Sequence, residues 1–347
     1  MSLQDHARAS GSSAVVVTKA GVPVIDWVDD QGHRPIETMS VTKMVVGAVI
    51  AASLGQAGPE VLDTSITTWL SEWKNDQRAA VTLRTLLNHQ SGLRSIPAPE
   101  ANAIPDAFVG ALSLPMERAP RQGFVYNNLA FNLLGGIVQR AFGASIAEVA
   151  NQLLFTPIGF GDWNWRTDEA GNPRCHWGLM CRADDLAKVG GLFLDGRDIL
   201  PQWWLTEAID SGLSCYPQNA WIRASISSHL VERWRLGGID EDLIARLGDL
   251  VDHEMEFDHL WAELQRRFDG EAHVLFNEVA TRGLPRFDRS SGPVVAYGHD
   301  GDGGQYLLIF PDSGAVAVRK REDINTGSIW SSFPGDAHAA IEDVHSD

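Results

Sequence analysis

A serine and a lysine stand three residues apart just before the longest apolar run of the chain. The sequence there is Ser40-Val41-Thr42-Lys43, and the residues that follow, to Leu54, are almost all apolar. If this stretch is helical, the serine and lysine side chains lie on one face, within reach of each other. A serine hydroxyl becomes a nucleophile when a neighbouring base takes its proton, and a lysine can act as that base. The helix N-terminus would stabilise a developing oxyanion beside it.

Two further groups of polar residues could complete such a site. Tyr126 could pass a proton between Ser40 and a leaving group, and the amide of Asn128 could hydrogen-bond both the lysine and a substrate carbonyl. Later in the chain, His299 and Gly301 end a strand-like run and precede more glycines. Glycine there lets a substrate approach the strand edge closely, and the backbone N–H that follows could complete an oxyanion hole.

Each of these groups also has an ordinary structural explanation. A second S-x-x-K, Ser71 to Lys74, occurs in a polar stretch, and His176-Trp177-Gly178 repeats the H-x-G pattern. Tyr126 and its neighbours could simply start a helix, with Asn127 as its N-cap, and residues 299–304 could form a glycine-rich turn. A single motif of this kind is therefore weak, and the interpretation depends on their joint occurrence.

The elements that would position these residues are strands at both ends of the chain and helices between them. Residues 14–27 and 305–320 each resemble a β-hairpin, with β-branched runs on either side of a turn. Apolar residues at helical spacing predict helices over 38–54 and, further along, within 81–93, 126–143 and 183–194. The economical arrangement pairs both ends in one antiparallel sheet and makes the middle a helical lobe.

The order of the three motifs resembles the S-x-x-K, Y-x-N and K-T-G set of class C β-lactamases, DD-peptidases and related esterases. The same resemblance extends to VTLRTLLNHQSGL, FVYNNLAFNLLGGIVQRAFG, TPIGF, GLMCRADDLAKVGGLFLDG and GHDGDGGQYLLIFPDSGAVAVR. It covers roughly residues 14–205 and 293–320, and the joint match is highly specific.

The resemblance implies an α+β fold of the β-lactamase/transpeptidase type, with an antiparallel sheet flanked by helices and an all-helical lobe. Residues 1–60 and 290–347 would form the sheet domain, and 61–214 the helical domain. Residues 215–289 do not align with the family. They are charged and amphipathic, so we predict a helical insertion of uncertain placement.

By position in the family, Ser40 would be the nucleophile and Lys43 and Tyr126 its proton-transfer partners. The resemblance also assigns groups that bind the substrate or the oxyanion: the Asn128 amide, the backbone N–H groups of Ser40 and Asp302, and the strand that holds His299 and Gly301. Trp177 is our first choice for an apolar wall of the acyl pocket, because it precedes a helix that lies near the site in relatives.

His299 departs from the family pattern, because β-lactamases of this type carry lysine at that position. A histidine holds only a fractional charge near neutral pH, so it is poorly suited to hold the β-lactam carboxylate. The H-x-G pattern is similar to that of some DD-peptidases, D-aminopeptidases and esterase-like relatives. The sequence therefore does not favour efficient β-lactam turnover.

Composition excludes several other functions. The net charge is −17 and the 347 residues contain no basic stripe, which argues against nucleic acid as a partner. The apolar run from Met44 to Leu54 is too short to cross a bilayer. Three cysteines without C-x-x-C spacing (Cys175, Cys181 and Cys215) favour reduced thiols. Together with an N-terminus that lacks a signal-peptide core, they lead us to expect a cytoplasmic protein.

No motif predicts a cofactor or a metal. One acidic group with two histidines could suggest a metal site, but it lacks H-E-x-x-H spacing and is better interpreted as a solvated face. Its members are His253, Glu254, Glu256, Asp258 and His259.

The sequence thus predicts a serine hydrolase that cleaves a carboxylic ester or small amide through a Ser40 acyl-enzyme. The alternatives are a D-amino-acid peptidase or DD-peptidase-like enzyme, a weak β-lactamase, and a non-catalytic binding protein that resembles penicillin-binding proteins. The expected partner is a small ester, amide or peptide substrate, and the oligomeric state stays open.

Overall fold

The computed structural model describes most of the chain. The described residues are 2–122, 125–210, 221–223, 228–230, 245–250, 254–270, 288–289, 294–325, 327, 330 and 332–343.

Twelve strands and twelve α-helices are described in these ranges. The strands are β1 (Ala14–Lys19), β2 (Val22–Val28), β3 (Ile36–Glu37), β4 (Trp163–Trp165), β5 (Leu179–Cys181), β6 (Trp221–Arg223), β7 (Ser228–Leu230), β8 (Glu254–Glu256), β9 (Asp288–Arg289), β10 (Val294–Gly301), β11 (Gln305–Phe310) and β12 (Ala315–Lys320). The helices are α1 (Leu3–Ala9), α2 (Thr42–Ser53), α3 (Leu83–Leu87), α4 (Ala98–Asn102), α5 (Ala107–Leu112), α6 (Asn128–Phe131), α7 (Leu133–Phe142), α8 (Ile146–Ala150), α9 (Ala183–Asp195), α10 (Gln202–Asp210), α11 (Phe257–Arg267) and α12 (Phe333–Asp343).

The two ends of the chain meet in one antiparallel sheet, as the sequence predicts. Its strand order is β2-β1-β12-β11-β10-β6, and β1 pairs with β12 so that Val16 lies opposite Val318. These strands are rich in valine, isoleucine and aromatic residues, which favour a pleated, buried surface. Two smaller sheets have the orders β3-β5-β4 and β8-β7-β9.

Both faces of the main sheet are covered by helices. Alternate residues of β11 face opposite ways, so Leu307 packs in the core cluster with α2 and α9, whereas Leu308 packs in the cluster with α1 and α12. Helix α9 lies so close to the sheet that a Cβ on Gly190 would come within 2.5 Å of Val316. Helix α2 is buried along its whole length and forms the centre of the molecule.

Helix α2 and the turns at its ends make up the most apolar helical stretch, Met39–Ala57. By length and composition alone this stretch qualifies as a membrane span, and the bent pair Asn128–Phe142 and Ile146–Phe155 qualifies together. In Met39–Ala57, 83% of the tested window is buried inside the fold, which is the position of a core helix.

Two sequence predictions need correction. Within 81–93 only α3 is α-helical. Thr82 caps its N-terminus, and the chain continues as a loop after Leu87. Within 215–289 the prediction of a helical insertion is only partly correct for the described part. That part contains α11 but also four short strands, and one of them, β6, extends the main sheet by pairing with β10. The charge periodicity of α11 carries no information about these strands of two or three residues.

Candidate active site

Ser40 lies in a single 3-10 turn, Met39–Val41, that leads directly into α2. The residue before it, Met39, has a φ of +50°, a conformation that a non-glycine residue adopts at an energetic cost. This turn half-exposes the Ser40 side chain, whereas Lys43, one turn further along the helix, is completely buried. The local backbone therefore presents a hydroxyl at the surface of the core and an amine directly behind it.

Lys43 Nζ uses its three donor positions on three different groups. It lies 3.2 Å from Ser40 Oγ, 2.5 Å from the Tyr126 hydroxyl and 2.8 Å from the carbonyl oxygen of His176. A lysine ammonium has three N–H donors, so this environment fully satisfies it. The amine is held at a fixed point between two hydroxyl groups.

Tyr126 closes the arrangement into a triangle. Its hydroxyl lies 2.8 Å from Ser40 Oγ as well as within hydrogen-bond distance of Lys43. Each of the three side chains thus contacts the other two, and once the lysine or the tyrosine has given up a proton, the serine proton can move to it over one hydrogen bond. The predicted catalytic residues come from two separate stretches of chain: Ser40 and Lys43 from the turn that leads into α2, and Tyr126 from the segment before α6.

Tyr126 is held in place by the residues around it. Asn127 caps α6 by accepting the Ala130 N–H, and its amide donates to the carbonyls of Leu93 and Arg94. The Asn127 N–H donates to Nδ1 of the buried His89, whose ring lies 4.7 Å from the Tyr126 ring. The helix-start interpretation of Asn127 is therefore correct, and the cap also fixes the tyrosine.

The His176 carbonyl is fixed in a similar way. Nδ1 of His176 lies 3.1 Å from the amide of Asn132, and Nε2 lies 2.9 Å from the side-chain oxygen of Asn102. Burial lowers the pKa of His176 well below its usual value, with Lys43 and Arg174 adding to the effect. The imidazole is accordingly neutral at physiological pH, and only the backbone of this residue touches the lysine.

The end of strand β10 lies against the turn that carries Ser40. A Cβ on Gly301 would come within 2.7 Å of the Thr38 carbonyl oxygen, so only glycine fits this approach. His299 is two residues earlier on the same face of the strand; it is 3% exposed, and its Nδ1 contacts the Asp300 carbonyl oxygen. Asp302 is exposed in the turn that follows, where its carboxylate accepts the Gly303 N–H.

Asn128 differs from the expectation in one respect. Its amide was expected to hydrogen-bond the lysine, but Lys43 donates instead to the His176 carbonyl. The side-chain oxygen of Asn128 is buried and makes no hydrogen bond to any other described residue. Among the described residues, the hydrogen-bond partners of Lys43 are therefore Ser40, Tyr126 and the His176 carbonyl, and the Asn128 side chain is not one of them.

Trp177 follows His176 and is half-buried beside the site. Its indole N–H donates to the side-chain oxygen of Asn102, the same atom that His176 contacts. Two guanidinium groups lie near its ring, Arg166 at 5.8 Å and Arg174 at 5.3 Å.

The sequence analysis missed three residues that support the site: Asn102, Asn132 and the backbone of His176. His176 was noticed only as a chance H-x-G triplet, and its role depends on a carbonyl, which every residue has. His89 also supports the site. It lies in VTLRTLLNHQSGL, a stretch that resembles the family, so this resemblance could have identified it. In the part of the chain that the structure describes, no group of three or more His, Cys, Asp or Glu side chains is placed to hold a metal. His253 and the side chains of Glu254, Glu256 and Asp258 lie outside the description.

Comparisons with known proteins extend these observations. A family model described as Beta-lactamase matches residues 3–319. The chain is 30% identical over 144 residues to Esterase EstB of Burkholderia gladioli, a match that covers 35% of this chain and 36% of that protein. It is 31% identical over 128 residues to a D-aminopeptidase of Brucella canis, covering 34% of this chain and 24% of that one. The matched stretch therefore spans about a third of the esterase and about a quarter of the D-aminopeptidase.

The fold comparison covers both chains almost completely. The structure of a penicillin binding protein from Bacillus halodurans superposes with a TM-score of 0.61 at 15% sequence identity, over 99% of each chain. At this identity, the likeness establishes the fold alone.

Proposed function

Since the chain belongs to the beta-lactamase family, we propose that it is a serine hydrolase that cleaves a carboxylic ester or a small amide through an acyl-enzyme on Ser40. The observation that carries the proposal is the closed triangle of Ser40, Lys43 and Tyr126, with every side 3.2 Å or shorter.

The triangle supports a two-step reaction. In the first step, Ser40 Oγ attacks the substrate carbonyl carbon while its proton moves to the Lys43–Tyr126 pair. The C–O or C–N bond then breaks, and the pair returns that proton to the leaving alcohol or amine. In the second step, water attacks the ester carbonyl, and its proton passes through the pair to Ser40 Oγ as the acid is released. The two steps together consume one water and leave the protein unchanged.

The negative charge that develops on the carbonyl oxygen needs donors at a fixed position. We assign the backbone N–H of Ser40 and that of Asp302, because Gly301 brings the end of β10 into contact with the turn before the nucleophile. Asn128 would orient the substrate by donating from its side-chain nitrogen to a carbonyl oxygen, or by accepting an amide N–H at its side-chain oxygen, which has no partner in the described protein. Trp177 would form an apolar wall beside the lysine.

An ester or small amide is preferred to a β-lactam because His299 stands where the family's β-lactamases carry lysine. The buried imidazole beside the Asp300 carbonyl replaces a permanent cation. A substrate whose carboxylate must be held at the end of β10 would lose that contact.

A covalent-labelling experiment tests the proposal. Wild type and Ser40→Ala are incubated with p-nitrophenyl acetate and with a fluorophosphonate, and intact mass and p-nitrophenol release are measured. We expect an adduct and continuing turnover for wild type only, with at least a 10³-fold loss of turnover in Ser40→Ala. Absence of adduct on folded wild-type protein would refute the enzyme proposal. A single burst of labelling without turnover would instead support the non-catalytic binding protein.

The match to a D-aminopeptidase favours one second candidate, hydrolysis of a D-aminoacyl amide. The same two proteins are assayed with D-alanine and L-alanine p-nitroanilides. Turnover of the D form that exceeds ester turnover would replace the esterase proposal with the peptidase one.

A further inference from the structure

Two arginines lie beside the proposed site without a full set of partners. Together with the tryptophan whose ring lies near both guanidinium groups, they form a group that we call the arginine–tryptophan cluster: Arg166, Arg174 and Trp177. Trp177 follows His176, whose carbonyl oxygen is 2.8 Å from Lys43 Nζ, and that atom is 3.2 Å from Ser40 Oγ. The backbone of Trp177 is thus within about 10 Å of the nucleophile.

Arg174 is the more unusual of the two, because it is buried without a counter-ion. It is 9% exposed, and among the described residues no carboxylate pairs with it. Its Nη2 donates to the Asn102 carbonyl, whereas Nη1 is buried without a hydrogen-bond partner. An unpaired buried guanidinium is costly. A chain with 45 acidic residues has ample carboxylates to place beside it but does not do so in the described structure.

Arg166 supplies the exposed part of the cluster. Its side chain is 51% exposed, and its Nε lies 3.2 Å from the Glu37 carboxylate. Within the described protein its two terminal nitrogens make no hydrogen bond, so the outer edge of the guanidinium can accept a ligand. Such an edge matches the two oxygens of a carboxylate, and Arg binds this group better than Lys does.

We infer that the arginine–tryptophan cluster is a subsite for a carboxylate carried by the substrate, several bonds away from the scissile carbonyl. The inference rests on the proposed function and narrows its substrate class to anionic esters or amides. The anionic group would bind at Arg166, with Arg174 adding positive charge behind Trp177. It would thereby make a contact that His299 does not offer at the end of β10.

Matched pairs of esters test the subsite. One pair is mono-p-nitrophenyl glutarate and its methyl ester, which place the charge on the acyl side. The other is 4-acetoxybenzoate and its methyl ester, which place it on the leaving group. We expect at least one carboxylate to exceed its methyl ester about tenfold or more in kcat/KM, mainly through KM.

Variants of Arg166 assign the preference to the cluster. Arg166→Gln should abolish it while leaving kcat/KM for the neutral methyl esters within about twofold, and Arg166→Lys should retain part of it. Arg140→Gln is the matched control, since Arg140 also pairs with a glutamate and lies 5.1 Å from an aromatic ring, but on α7. It should keep the full preference.

Failure of the subsite and failure of the proposed function give different results. The inference is overturned if wild type shows no preference in either pair, or if Arg166→Gln keeps the preference. If neutral esters are not hydrolysed at all, the proposed function fails instead. Calorimetric titration of glutarate into Ser40→Ala then decides the subsite alone, because binding that Arg166→Gln weakens tenfold needs no chemistry, and absence of binding refutes it.

Discussion

Two lysines are completely buried in this protein, and their surroundings differ in one essential way. Lys43 Nζ contacts the carbonyl of His176 and two hydroxyl groups, those of Ser40 and Tyr126. Lys320, on β12, donates to the carbonyl of Ile36, and no hydroxyl group among the described residues hydrogen-bonds to it. Burial alone therefore does not identify a catalytic lysine. The hydroxyl groups that can exchange a proton with it do.

The two lysines are connected through the segment of chain that begins with β3. Lys320 holds the first residue of β3, and the strand then leads through Glu37 and Thr38 to the turn that presents Ser40. We assign Lys43 to chemistry and Lys320 to support of the strand that positions the nucleophile. Substitutions that remove one amine at a time test whether the two lysines differ in role.

The largest effect is expected for Lys43→Met, compared with Lys320→Met. Both substitutions replace a fully buried amine by an apolar side chain of similar length. Loss of the amine beside Ser40 should lower kcat/KM for p-nitrophenyl acetate on the order of 10⁴-fold, about 5.5 kcal/mol of transition-state stabilisation. Lys320→Met should lower it less than about tenfold. Equal losses in two folded variants, measured at the same pH, would show that the lysines do not differ in role.

The residues of the proposed catalytic group were predictable from sequence, whereas the residues that support them were not. Ser40, Lys43 and Tyr126 can be found in the sequence because their side chains are reactive and their order and spacing resemble those of the family. The structure brings them together. The third partner of Lys43 is a backbone carbonyl, and a carbonyl has no sequence signature. Asn128 illustrates the same limit of sequence reasoning. The sequence predicts a contact between its amide and Lys43, but in the structure a backbone carbonyl, that of His176, makes this contact.

Fold prediction shows a parallel division. The hairpin β1–β2 and helix α9 follow from β-branched runs and from apolar spacing with a glycine at the helix end. The three-residue strand β6 does not, since a segment so short has no periodicity of its own and is held by pairing with β10. Its place depends on a contact with a strand about seventy residues away.

A second, smaller effect concerns stability and belongs to Lys320. Burial lowers the pKa of Lys320 to about 8, with nearby Cys181 and Glu37 acting in the opposite direction. An unfolded lysine titrates near pH 10.4, so between about pH 8 and 10.4 the unfolded state binds more protons than the native state. The free energy of unfolding of wild type should therefore rise with pH in this window, by about 3 kcal/mol relative to Lys320→Met.

Urea unfolding of both proteins at pH 7 and at pH 10.5 measures this difference. The orphaned Ile36 carbonyl in Lys320→Met destabilises the variant equally at both pH values, so it cancels from the change. A wild-type advantage that stays constant across the window would mean that Lys320 is not desolvated in the native state. The assigned support role would then lose its physical basis.

The smallest effect is expected for Glu37, the carboxylate that lies between the two lysine environments. Burial raises its pKa, whereas the Gly178 N–H and Arg166 act to lower it and so offset part of the effect. Above the ordinary pKa of a glutamate, the native state then holds more of this proton than the unfolded state does. The free energy of unfolding of wild type should consequently fall, relative to Glu37→Gln, as the pH rises from 4 to 7, by less than the change at Lys320.

Glu72→Gln is a control of opposite sign. In wild type a hydrogen bond from Arg140 lowers the pKa of Glu72 to about 2, so wild type should gain stability relative to this variant as the pH rises from 2 to 4.5.

Glu37→Gln keeps an oxygen that can accept the Gly178 N–H, which preserves the hydrogen bond between β3 and the loop of His176. If Glu37→Gln loses stability with rising pH relative to wild type, the ion pair with Arg166 outweighs the burial of the Glu37 carboxylate, and Glu37 acts mainly as the counter-ion of Arg166. Arg166 would then be less available to the carboxylate of a substrate.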